Sequence, residues 1–105
     1  MNSKRKGKIG ELQWRDQLRA AGYIQARRGQ QFSGSPDSPD VVCPELDQYH
    51  FETKRVERLN IVDAMAQAIG DAGAKIPIVA HRRNNSIWLV TMRADDWFRL
   101  IHEKV

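Results

Sequence analysis

The 105-residue chain is 41% hydrophobic and 29% charged, the composition of one folded domain rather than of a disordered tail. No apolar run approaches the roughly 20 residues that cross a bilayer, and a single cysteine, Cys43, excludes an internal disulfide. The net charge of +4 is uneven: residues 1–36 hold eight basic side chains against two acidic, +6, and the remainder nine against eleven, −2.

In chain order, residues 1–6 are basic but lead into no apolar stretch, so no secretory signal is expected and a reducing cytoplasm is. Residues 4–21 read as a helix, with Trp14, Leu18 and Ala21 at i, i+4, i+7 and Gly22 placed to end it. Glu11 falls on the same face as Trp14 and Leu18. A carboxylate buried there needs a partner; a Glu favoured by the helix dipole fits the position equally well. Residues 23–28 alternate as a strand, and Arg27 and Arg28 open a Gly/Ser/Pro-rich loop where guanidinium groups suit phosphate contacts.

The stretch 33–55 organises the rest. Ser33-Gly34-Ser35-Pro36-Asp37-Ser38-Pro39-Asp40 delivers an acid to the apolar run Val41-Val42-Cys43. After the turn 44–48, Tyr49-His50-Phe51-Glu52-Thr53-Lys54-Arg55 returns as a second strand. Side chains alternate along a strand, so Glu52 and Lys54 point one way, Phe51 and Thr53 the other. Folding the two runs back antiparallel brings Asp40 beside Glu52 and Lys54. Of the two Pro-Asp pairs, Asp40 is preferred over Asp37 because it immediately precedes Val41-Val42. His50 shares the face of Glu52, where packing is the more ordinary role.

Ile61, Ala64, Met65, Ala68, Ile69 and Ala72 form the cleanest helical stripe, with Gln67 at its edge. Residues 75–82 and 86–91 read as strands around an Asn84-Asn85 turn. Residues 93–103 read as a helix with Trp97, Leu100 and Ile101 facing inward. The order αβββαββα, with a strand-helix-strand crossover, predicts a single α/β domain over residues 1–105. Its mixed central sheet is flanked by helices.

Pro39-Asp40 followed by Glu52-Thr53-Lys54 resembles the Asp…Glu-x-Lys signature of the PD-(D/E)xK nuclease superfamily. Lys6-Gly7-Lys8-Ile9-Gly10-Glu11 and Ser33-Gly34-Ser35 are similar to the flanking segments of its archaeal and phage Holliday junction resolvases. The resemblance implies a restriction-endonuclease-like core and a Mg²⁺- or Mn²⁺-dependent DNA endonuclease, in a bacterial or phage-infected cell. Asp40, Glu52 and the Thr53 carbonyl would ligate the metal, Glu11 would complete the shell, and Lys54 would orient the attacking water. Gln67 would help orient the site, and Lys4, Arg5, Lys6, Lys8, Arg27, Arg28, Ser33 and Ser35 would meet DNA.

Branched DNA is the expected substrate, because the chain has no room for an appended recognition module. A homodimer is expected, since cutting two strands needs two sites; Trp88, Trp97 and Phe98 could be interface or core. The alternatives are a relic of the fold that only binds nucleic acid, and a sequence-specific or nicking duplex endonuclease.

Overall fold

The computed structural model describes residues 3–29 and 40–103. A long helix, α1 (Ser3–Ala20), leads into β1 (Arg27–Arg28) and β2 (Val41–Val42); a 3-10 turn (Pro44–Leu46) then precedes β3 (Tyr49–Arg55). Helix α2 (Ile61–Ala72), strands β4 (Ile76–Arg82) and β5 (Leu89–Thr91), and helix α3 (Ala94–Glu103) complete the order. The five strands lie in sequence order across one mixed sheet. Among the described residues only β3 and β4 are parallel, paired from Tyr49↔Ile76 to Arg55↔Arg82. The expected αβββαββα arrangement is present. Among the described residues no helix is long and apolar enough to cross a membrane.

The strand expected over residues 23–28 is shorter, only Arg27–Arg28. Gly22, at φ +108°, ends α1 in a left-handed cap. The Gly22 N–H donates to the Arg19 carbonyl and the Tyr23 N–H to the Leu18 carbonyl. The Ala26 N–H donates back to the Tyr23 carbonyl, so capping and a turn use the residues that would have extended the strand. The strand expected over 86–91 is likewise only Leu89–Thr91. Asn85 takes a left-handed φ of 58°, and Trp88 leaves the ladder to pack on Trp14, ring centres 5.3 Å apart.

The sheet has two unequal faces. Toward α1, Trp14, Leu18, Ala26, Val41, Cys43, Phe51 and Ala80 form the main core. Toward α2, a smaller core joins Ala64, Ala68 and Val79. Asn60 caps α2 through its side chain, which accepts from the Asp63 N–H. Small alanines bring this helix close to the sheet. Helix α3 departs from expectation: its buried residue is Asp96, bound by Arg93 at 2.7 Å. Of the residues expected to face inward, Leu100 is partly buried while Trp97 and Ile101, with Phe98, remain about half exposed.

Gly10 sets the spacing between α1 and β3. A Cβ there would lie 2.9 Å from the Arg55 Cβ, whereas one at Gly7 would meet nothing within 4 Å. Gly10→Ala should therefore destabilise the fold by about 1–3 kcal/mol, while Gly7→Ala should stabilise it by about 0.5–1 kcal/mol through helix propensity. Urea denaturation of the two variants checks this; equal effects would contradict the close approach.

Candidate active site

β3 sorts its side chains as alternation requires. Phe51, Thr53 and Arg55 face α1, where Phe51 packs on Trp14 and the other two lie under Gly10. His50, Glu52 and Lys54 face α2: the Lys54 ammonium donates to Gln67 Oε1 at 3.4 Å. Asp40 stands just before β2. Its N–H donates to the Phe51 carbonyl at 3.1 Å, and its carbonyl accepts from the Gly29 N–H at 2.9 Å. Its Oδ2 accepts from the Thr53 N–H at 2.9 Å. The acid is thus anchored across both neighbouring strands.

Glu11, buried on α1, accepts from Arg28 Nε at 2.7 Å. Burial pushes its carboxyl above the ordinary value; the Arg28 hydrogen bond opposes the rise, and the Asp40 charge adds to it. Burial also raises Glu52, against a lowering by the His50 contact, and the Asp40 charge and the Asp71 carboxyl raise it further. The Asp40 charge thus acts on both Glu11 and Glu52.

His50 and Asp71 belong to this group. His50 is 3% exposed, its Nε2 2.9 Å from Glu52 Oε1. One donor atom from each of His50, Glu52 and Asp71 lies within 4.8 Å of the others. The sequence placed His50 on the right face but gave it a packing role. Asp71 was missed altogether, although the i, i+4 spacing from Gln67 beside the alanine stripe carried the signal.

The expected site residues divide by position. Asp40 is held by the Thr53 N–H, Lys54 meets Gln67 on the α2 side, and the Asp40 charge reaches both Glu11 and Glu52. Arg28, expected to meet DNA, pairs with Glu11. Arg5, Lys6 and Lys8 lie on the first turns of α1, and Lys4 is part of that helix; Arg27 is exposed on β1. Ser33, Ser35 and Asp37 lie outside the described residues. No family model, curated protein or solved structure matches this chain.

The raised carboxyls fix a pH dependence. A folded-state pKa above the ordinary 4.5 means the folded protein keeps a proton that the unfolded chain has lost. Stability therefore falls as pH rises from 4.5 through the folded value. In EDTA, Glu52→Gln should melt higher than the parent at pH 8, with the gain shrinking toward pH 4.5. Thermal melts at both pH values test this; no gain at pH 8 would contradict the clustered charge.

Proposed function

We propose that this protein is a divalent-metal-dependent DNA endonuclease of the PD-(D/E)xK superfamily, with a restriction-endonuclease-like core. The observation that carries the reading is Asp40 hydrogen-bonded to Thr53 within Glu52-Thr53-Lys54, with Gln67 on Lys54 and Glu11 within reach of the Asp40 charge. Two raised glutamates that both feel the Asp40 charge suit a hard cation, since Mg²⁺ and Mn²⁺ favour carboxylate oxygens. Asp40, Glu52 and Glu11 would hold it, with the Thr53 carbonyl as a further oxygen donor. A bound Mg²⁺ or Mn²⁺ supplies Lewis acidity and a lowered water pKa.

The protein's own groups do the positioning. Lys54, braced by Gln67, offers a cation to the attacking water or to the charge growing on the phosphate. His50 holds the Glu52 carboxyl at 2.9 Å, and Asp71 adds a further carboxyl beside it. Arg28 offsets the charge of Glu11, and Lys6, Lys8 and Arg27 add basic groups for the phosphate backbone.

Incubation with junction, duplex and single-stranded DNA, with metal and with EDTA, tests the activity. Asp40→Ala, Glu52→Ala and Lys54→Ala should each lower turnover by about 10³-fold or more while leaving DNA affinity within a few-fold. A four-way junction should bind more tightly than its parent duplexes in the presence of competitor. A folded protein that cuts none of these substrates with metal would overturn the reading in favour of a non-catalytic nucleic-acid binder. Cleavage of linear duplex at one fixed sequence would overturn the branched-DNA preference.

The reading also includes a homodimer. Trp97, Phe98 and Ile101 leave an exposed apolar face on α3, while Trp88 belongs to the core. Light scattering at micromolar concentration should give twice the 12.1 kDa chain mass, and Trp97→Ser/Phe98→Ser should return it to the monomer value. A monomeric parent would contradict the assembly.

A further inference from the structure

Beyond the C-terminal end of the Glu52–Lys54 segment, on the α2 side of the sheet, lies an open cleft of about 1120 Å³. One wall is the approach to α2, carrying Arg58, Leu59 and Ile61; the other is the β4–β5 hairpin, carrying Arg82, Arg83, Ile87 and Leu89. Lys54 pairs in register with His81 of β4, and His81 lines the cleft. The cleft therefore starts one strand position from the candidate lysine and reaches Val56, about 13 Å along β3 from Glu52. Glu57 accepts from the Asn84 N–H at 3.1 Å, which ties the two walls together.

The charge on these walls is unbalanced. Arg58, Arg82 and Arg83 make no ion pair among the described residues, and the one acid lining the cleft, Glu57, is engaged with Asn84. Arg82 is held over the Trp88 ring at 5.8 Å and donates to the Arg83 carbonyl, so its head group is turned toward the α1 face and leaves Arg58 and Arg83 as the cations offered to the cleft. Between the arginines the surface is apolar, and Ile87 is 77% exposed while Leu89 is 50% exposed.

An open cleft exceeding the roughly 300–1,000 Å³ of small-molecule pockets suits a polymer laid through it. The guanidinium groups call for a polyanion. The apolar floor distinguishes among polyanions, because a duplex keeps its bases stacked inside and presents phosphates alone. A single strand exposes base faces, whose burial on aliphatic side chains is favourable though weaker than stacking on an aromatic ring.

We propose that this cleft binds a single DNA strand, with phosphates on Arg58 and Arg83 and unstacked bases against Ile87 and Leu89. The choice of DNA rests on the nuclease reading; the cleft and its charge do not. The strand would run on from the Lys54 side of the candidate active site, so an unpaired arm of a branched substrate is the part that this surface holds.

Fluorescence anisotropy on the full chain in EDTA tests this without requiring cleavage. The probes are a 12-nucleotide oligothymidylate and a 12-base-pair duplex. Arg58→Ala/Arg83→Ala, both exposed and unpaired, should lower oligothymidylate affinity about tenfold or more. It should also flatten the logarithmic salt slope by about 1.4, some 0.7 for each lost single-strand contact. Duplex affinity should stay within threefold. Ile87→Ser should weaken the oligothymidylate about fivefold and leave the duplex unchanged, and Arg58→Lys/Arg83→Lys should retain most single-strand binding.

Unchanged oligothymidylate affinity in the alanine variant would overturn the proposal, as would an equal loss of duplex affinity. Displacement of the strand by polyglutamate at equal charge concentration would also overturn it and indicate an acidic protein partner. A protein that binds the strand here but never cuts DNA would sink the nuclease reading alone. One that cuts DNA while the cleft variants stay neutral would sink the cleft alone.

Discussion

The hydrogen bond from the Thr53 N–H to Asp40 Oδ2 at 2.9 Å is the contact on which the arrangement depends. β2 begins after Asp40, so a side-chain carboxylate occupies the place where a longer strand would have offered a carbonyl. The same residue joins β1 through Gly29 and β3 through Phe51. With only two residues in each of β1 and β2, the ladder alone is thin. Asp40 fastens this short edge to the seven-residue central strand.

That early start of β2 also lets two faces of the sheet meet. Alternation assigns Glu52 to the α2 side, and Glu11 arrives on α1 from the other. In an uninterrupted sheet the two would be screened by backbone. Here the sheet edge lies at Asp40, and both acids feel its charge. Burial without full pairing raises both carboxyls, a pattern more common at working sites than in structural cores. The partners differ in kind: Arg28 gives Glu11 a counter-charge, while Glu52 has a histidine on one side and another acid on the other.

What the sequence revealed, it revealed through periodicity. β3, β4 and α2 carry clean patterns, and the alternation of Glu52, Thr53 and Lys54 alone fixed which side chains share a face. The 23–28 segment misled because its alternation was real but its first residues serve the helix cap, a demand set by Gly22 and invisible to a strand pattern. The α3 stripe was also real, yet amphipathicity says only that a face wants cover. Asp71 escaped because a half-buried acid beside small alanines looks like a solvated helix residue. The cleft arginines, at 58, 82 and 83, come together only through the parallel β3–β4 register, which no local window contains.

The parallel pairing of β3 with β4 has a kinetic consequence. Parallel neighbours need a crossover, so α2 has to be in place before the central ladder closes, and loop closure precedes its reward. The two-residue edge strands gain a template only once β3 exists. Asp40 bonds to Gly29 beside β1 and to Phe51 and Thr53 of β3, so its setting between Glu11 and Glu52 needs all three strands assembled. A nascent or partly unfolded chain carries the acids dispersed along its length, so any chemistry that needs them together is confined to the finished fold.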